Sequence, residues 1–290
     1  MKAIKKLIIA LVVIVAILGV VVIGGYIYVR ATYGIDLFRT AGQLKTLAEE
    51  VDETALCPNA YGEEDLAAMK TGLNTKFDGF VSYEQGKGYN GYSVNFDSLA
   101  GKSMDGMISL TEKQVGAIAQ TVFYEQTGGK IKLGDKEVSV TVMQVDFSEI
   151  AANGSADFTI AAKIDLTPFK ADMGGFPYKY FKKYIPDNLY VLSAVRVEKT
   201  EGDGFMYTVT HKSLAINNLS HDDTADLFNT LDAVLKIGTA ENLNLQIGTT
   251  AVNALIGTAE NPGFAYSIKA IGATQFRFAT DSGADNFIVE

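Results

Sequence analysis

Apolar positions along this chain follow three different periods. Across residues 7–29 they are continuous: 23 residues, mostly Leu, Ile and Val, without a charge. At ~1.5 Å per helical residue such a run is roughly 35 Å long, enough to cross a bilayer core. Backbone groups in lipid must be satisfied within the segment, which predicts a helix. Tyr26 and Tyr28 fall at its far end, where aromatic rings rest at the lipid–water boundary. Lys2, Lys5 and Lys6 precede it, so the positive-inside rule puts the N-terminus in the cytoplasm and everything after Arg30 outside the cytosol. A cleaved signal peptide is the competing reading. It fits less well, because the apolar run exceeds the usual ~7–15 residues and the small-residue sites at Gly24 and Ala31 are indifferent matches.

A helical period follows. Leu37, Ala41, Leu44, Leu47, Ala48 and Val51 share one face over 36–56, with Arg39, Lys45, Glu49, Glu50 and Asp52 opposite. Cys57-Pro58-Asn59 ends it, since proline forbids continuation. From Lys76 onward the period becomes two. Tyr92, Val94 and Phe96 alternate with polar residues, as do Val138, Val140 and Val142. Phe158, Ile160, Ile164 and Leu166 form another run, as do Phe205, Tyr207 and Val209, then Phe264, Tyr266 and Ile268, then Phe276 and Phe278. One-sided alternation predicts antiparallel strands with one buried face. Asn153-Gly154 and Gly202-Asp203-Gly204 supply the turns. After Val142 the apolar phase slips by one residue, through Val145 and Phe147, which predicts a bulge. Helical spacing returns over 111–126, over 220–237 behind a Ser220 cap with Asp222 and Asp223 at the positive helix end, and over 248–257.

The predicted fold class is α+β: a transmembrane helix, then a curved antiparallel sheet with helices packed on it. Residues 1–30 form the cytoplasmic tip and signal-anchor, 31–60 a juxtamembrane helix, and 61–290 an extracytoplasmic α+β domain. A weak internal repeat aligns 108–119 with 245–256, each read as a strand end, a polar turn and an apolar helix face. It suggests two related halves with a boundary near 218, or simply two similar strand-to-helix junctions.

Composition narrows the function. Residues after Arg30 carry 21 of the 25 basic residues and all 34 acidic ones, a net of −13. That excludes a generic nucleic-acid binder, which needs clustered positive charge. A lone Cys57 makes no internal disulfide, and an exported chain without disulfides suits a bacterial envelope. The Asn-x-Ser strings at Asn153 and Asn218 read as a hairpin turn and a helix lead-in rather than glycosylation sites. Gly86-Lys-Gly88-Tyr-Asn-Gly91 matches a dinucleotide string but precedes a strand pattern, so a hairpin loop is expected. The only histidines, His211 and His221, read as a sheet residue and part of a helix start. No catalytic set, metal site or cofactor is predicted. An envelope hydrolase would need a serine close to His211 in a cleft.

The stretch 176–184, Phe-Pro-Tyr-Lys-Tyr-Phe-Lys-Lys-Tyr, puts five aromatic rings and three lysines in an otherwise acidic domain. Phe176, Tyr178, Lys179, Tyr180, Phe181, Lys182 and Lys183 are candidates for contact with an anionic bilayer surface. A short amphipathic helix with its rings on the sheet and its lysines in water explains them more simply.

Residues 108–166 read as a strand, a Leu-Thr-Glu-x-Gln helix start, a helix, then paired long strands. With the N-terminal anchor, this resembles the YpmS-like envelope proteins of Gram-positive bacteria. It is more distantly similar to the tubular lipid-binding (TULIP-like) sheets that wrap around a helix. The specific match is Leu110-Thr111-Glu112-Lys113-Gln114-Val115; the rest agrees in pattern only. No catalytic or ligand residue carries over. The resemblance implies a non-enzymatic, single-pass, membrane-anchored domain able to bind a lipid or another amphiphile. Independently of the resemblance, a curved sheet with helices on its concave face leaves room for an apolar groove with Phe158, Ile160, Ile164, Phe205, Tyr207 and Val209 as candidate lining, residues that otherwise simply make a core. The alternative is an extracytoplasmic interaction or scaffolding module with a packed core and a protein partner in the envelope.

Overall fold

The computed structural model describes residues 36–133, 136–171, 185–235, 238–281 and 283–290. The 7–29 run and the 176–184 stretch lie outside them. Among the described residues no helix is long and apolar enough to cross a membrane.

The architecture is α+β with antiparallel sheets. In chain order the elements are α1 (Leu37–Ala48), α2 (Glu53–Leu56), α3 (Glu63–Lys76), β1 (Val81–Tyr83), β2 (Tyr92–Val94), β3 (Ile108–Thr111) and α4 (Glu112–Thr127). Then come β4 (Lys130–Leu133), β5 (Lys136–Ser148), β6 (Ala156–Asp165), α5 (Thr167–Ala171), β7 (Asn188–Lys199) and β8 (Tyr207–Ile216). The chain ends with α6 (His221–Leu235), α7 (Ala240–Leu255), α8 (Phe264–Lys269), β9 (Phe276–Asp281) and β10 (Ala284–Val289). The strands form a five-stranded sheet in order β4-β5-β6-β7-β8, a three-stranded sheet in order β3-β10-β9, and the β1-β2 hairpin.

The period-two apolar runs pair in register. Phe147 stands opposite Phe158 and Phe158 opposite Val195; Val140 stands opposite Ile164 and Ile164 opposite Leu189. One face of the large sheet is therefore apolar across its width, and α4 and α7 lie on it. The smaller sheet adds Phe276, Phe278 and Phe287, and the Phe278 ring lies 4.8 Å from that of Phe147. A second apolar cluster joins Leu44 and Leu47 of α1 to Val138, Ile164, Leu189, Leu214 and Phe228.

The expected bulge is present: the β5–β6 register shifts between Val142 and Gln144. A second shift, between β7 and β8, leaves Lys212 without a cross-strand partner, because Ala194 pairs with Ser213 and Val195 with His211. The helix starts at 111 and 220 also hold. Thr111 and Gln114 close a capping box at 3.0 and 3.3 Å, and Ser220 Oγ accepts from the Asp223 amide at 3.1 Å. The 86–91 glycine string is the loop of the β1-β2 hairpin.

Four expectations are corrected. The 36–56 helix is two helices. Glu49 is extended, Asp52 caps the next helix by accepting from Thr54 and Ala55, and Asn217 and Asn218 donate to the freed carbonyls of Leu47, Glu49 and Glu50. Phe96 opens a 3-10 turn, and Phe205 lies in the loop before β8. Phe264, Tyr266 and Ile268 sit on helix α8, not a strand; Phe264 and Ile268 are also i,i+4 neighbours, and a short run cannot separate the two periods. The 248–257 helix begins at Ala240 behind a Thr239 cap, so Leu245 is helical and the 245–256 copy of the repeat lacks a strand.

Gly248 is inside that helix for a packing reason. A Cβ there would overlap both methyls of Val195, so the missing side chain lets α7 settle onto β7. Replacing Gly248 with Ala is expected to lower stability by about 1–3 kcal/mol, despite alanine's better helix propensity. A urea midpoint equal to or above wild type would contradict this packing account.

Candidate functional site

The proposed groove residues are core. Phe158, Ile160, Ile164 and Phe205 are 2%, 8%, 0% and 3% exposed, and Tyr207 and Val209 are half-buried against the same apolar cluster as Phe158. Burial pushes the Tyr207 hydroxyl up to about 12, and it donates to Asn253 Oδ1. The sheet brings five of the six onto one face, with Phe205 just before β8. That face is filled by protein side chains. The candidates at Phe176, Tyr178, Lys179, Tyr180, Phe181, Lys182 and Lys183 lie outside the described residues.

The opposite face of the sheet carries a polar cleft of about 940 Å³, lined by Ser148, Glu149, Ile150, Ala151, Asp157, Arg196, Thr210 and Lys212. Asp157, Arg196 and Thr210 occupy one row across β6, β7 and β8. The Asp157 carboxylate is buried and held by two cations, Arg196 Nη1 at 3.2 Å and Lys212 Nζ at 2.9 Å. Arg196 also donates to the Glu149 carbonyl at 2.8 Å, where Glu149 adopts a positive φ of 48°. Lys212 is the extra residue of the β8 bulge, a device that re-aims a side chain. The wall thus presents paired charges, hydroxyls and a loop carbonyl, suited to a partner with mixed polar groups. Sequence reading missed these residues. Alternation marked them only as solvent-facing, and nothing local announces the Lys212 bulge.

The histidines come together at the sheet edge. His211 and His221 rings lie 5.8 Å apart. Asn244 of α7 reaches across with Nδ2 donating to the Ala194 carbonyl at 2.7 Å and facing His211 Nδ1 at 2.8 Å. A donor facing Nδ1 requires that nitrogen to be unprotonated. Ser193 Oγ, fully buried, donates to Asn244 Oδ1 at 2.7 Å, so an asparagine stands between the serine and the histidine. This is a network bracing β7, β8 and α7. Burial holds the His211 pKa below its ordinary value, against an opposing pull from Glu241.

The chain from α2 to Tyr61 crosses the polar side of the sheet as a strap. Glu53 takes hydrogen bonds from Lys163, at 2.6 Å, and from the Tyr190 hydroxyl; these hold its carboxyl below the usual range. Asn59 N–H donates to Gln144 Oε1 at 2.8 Å, and Tyr61 O–H to the Val142 carbonyl at 2.9 Å. Between these points Cys57 is buried, and burial lifts its thiol to about 11. Among the described residues no cluster of three or more His, Cys, Asp or Glu is arranged to hold a metal.

Comparison with protein-family models, with curated proteins and with solved structures finds no match for this chain.

Two outcomes follow from this geometry. The folded state disfavours protonated His211, so the unfolded chain takes up a proton first. Stability should be level above pH ~7 and fall as pH drops through the ordinary histidine value, before carboxylates titrate. His211→Gln should remove that step from the urea midpoint; an unchanged step would assign it elsewhere. Glu53→Gln should loosen the strap and speed the reaction of Cys57, the chain's single thiol, with a disulfide reagent. With the exposed ion pair discounted, the lost hydrogen bonds imply an acceleration of about fivefold. An unchanged rate would mean that Glu53 does not hold the strap.

Proposed function

We propose that this chain is a membrane-tethered, non-catalytic interaction module. Its α+β domain stands outside the cytosol and engages a protein partner of the cell envelope through the polar face of its large sheet. The supporting observation is the packing of the other face. The six residues that would line an amphiphile groove are taken up by contacts with α4, α7 and the smaller sheet. Recognition is left to the outer surface, where the Asp157–Arg196–Lys212 cleft offers fixed polar groups.

The 7–29 run supports the tether, and the YpmS-like junction of Leu110 to Val115, which forms the β3–α4 corner, agrees with an envelope domain. Two bulges, each able to bend the strand that carries it, support a curved sheet. The 176–184 stretch remains the proposed bilayer contact. Of the described residues that flank it, Leu166 N–H donates to the Asp187 carbonyl at 2.7 Å, and Lys170 pairs with Asp187 at 2.7 Å. Leu166 and Ile185 share an apolar cluster with Leu44 and Leu47 of α1. The described residues on either side of the aromatic–lysine stretch therefore share one apolar cluster with the first described helix, which supports the proposal that the stretch and the tether address one bilayer.

A photo-crosslinking residue at Thr210, in the full chain in its own membrane, should give a discrete protein adduct. Lys212→Gln should reduce that adduct several-fold. Adducts to lipid alone, or no adduct, would overturn the reading in favour of amphiphile binding or another surface.

A further inference from the structure

Away from the cleft, the β1-β2 hairpin gathers five of the chain's 14 tyrosines. Tyr83 and Tyr92 are cross-strand partners with ring centroids 5.0 Å apart. Tyr92 and Tyr89 exchange backbone hydrogen bonds at 2.8 and 2.9 Å. The Tyr89 ring continues to Tyr124 of α4 at 6.1 Å and to Tyr61 at 6.5 Å. Tyr61 is the anchored end of this row, with its hydroxyl tied to Val142. Tyr83 is 53% exposed and Tyr124 36%, so the row runs from the core into water.

Two of the exposed rings rest on glycine. A Cβ on Gly91 would come within 2.7 Å of the Tyr83 ring, and one on Gly129 within 2.9 Å of Tyr124. Both glycines have positive φ, and each gives its ring a flat backbone seat. The surrounding charge is acidic. Glu63 acts on Tyr92, Glu125 accepts from the Val94 amide beside it at 3.1 Å, and Glu84 follows Tyr83 with its charge matched by Lys87 at 2.8 Å.

Fixed aromatic rings in a row, with the Tyr89 hydroxyl tied to that of Tyr61 at 3.2 Å and carboxylates alongside, have the chemistry of a surface for extended proline-rich chain. Proline rings pack between tyrosines at little entropic cost, because the polyproline II form exists before binding. Carboxylates at the rim select basic residues in the ligand by charge complementarity. We propose that the Tyr83–Tyr92–Tyr89–Tyr124 row binds a proline-rich, basic peptide segment of a partner protein. A neutral glycan could also stack on the rings but would make no use of Glu63 and Glu125. This proposal does not rest on the Thr210 cleft, so either can fail without the other.

The test uses the full chain in detergent and fluorescently labelled peptides read by anisotropy. A (Pro-Pro-Lys)₄ peptide should bind, and (Pro-Pro-Glu)₄ and (Gly-Gly-Lys)₄ should bind at least about tenfold more weakly, the loss typical of removing a central contact. Tyr83→Ala should weaken (Pro-Pro-Lys)₄ by about tenfold, while Tyr83→Phe, which keeps the ring, should stay within about twofold. Tyr83 is exposed, so the urea midpoint of Tyr83→Ala should match wild type and separate lost binding from lost folding. Equal binding of (Gly-Gly-Lys)₄ would reduce the effect to charge and overturn the proposal. So would wild-type affinity in Tyr83→Ala, or tighter binding of chitohexaose than of (Pro-Pro-Lys)₄ at the same rings.

Discussion

An antiparallel sheet with one apolar face is stable only when something apolar lies against it. Here that covering is close enough to dictate the backbone of its neighbour. Helix α7 meets β7 at Gly248 and Val195, where no side chain larger than hydrogen fits. Helix α4 meets β5 through Val115 and Ile118, and the smaller sheet closes the gap with Phe276, Phe278 and Phe287. Each covering element arrives from a different part of the chain, so the sheet is the frame on which the fold is assembled. The same closeness turns the sheet's most hydrophobic residues into core and leaves the polar cleft to the other face.

The covering has polar insets, and two of them are asparagines whose amide atoms are paired. Asn244 enters from α7 with all its amide atoms committed to Ser193, Ala194 and His211. Asn217 does comparable work at the far end, accepting from the Tyr190 amide at 2.7 Å and donating to the Leu47 carbonyl at 2.7 Å. A buried amide with every partner in place specifies one arrangement, because any slip leaves a desolvated group unpaired. Asn217 thereby orients α1 against β7 and β8, and Asn218 holds the two carbonyls that follow α1. Helix α1 is thus joined to the sheet by a bracket of side-chain amides as well as by the apolar contacts of Leu44 and Leu47.

Much of this was legible in the sequence. Strict alternation from Val138 to Val142 and from Phe158 to Ile164 placed the sheet face, and the slip after Val142 placed the bulge. Thr111 and Ser220 announced two helix starts, because capping depends on neighbours three residues away. Illegible features depend on distant partners. Gly248 resembles a helix breaker until Val195 is seen above it. The 49–52 break looks like unbroken helical spacing until Asn217 and Asn218 offer donors from a point about 170 residues away. The site was harder still. Phe158 and Ile160 look the same whether they line a groove or fill a core, and only the arrival of α4 and α7 distinguishes the two. Asp157, Arg196 and Lys212 lie far apart in sequence and converge through strand register alone.

The acidic balance bears on which partners can approach. The part after Arg30 carries −13, yet the cleft wall sets two acidic residues, Glu149 and Asp157, against two basic ones, Arg196 and Lys212, so the excess negative charge lies elsewhere. At physiological salt a surface charge acts over about 8 Å, so total charge steers an encounter only weakly, and the groups at the contact decide it. At the cleft those groups are neutralised donors and acceptors, which reward geometric match over charge. At the tyrosine row Glu125 holds the Val94 amide, and the Tyr83 and Tyr124 rings are seated on glycine. The two proposed surfaces therefore differ in kind, one a charge-balanced polar wall and the other a row of rings seated on glycine beside a carboxylate.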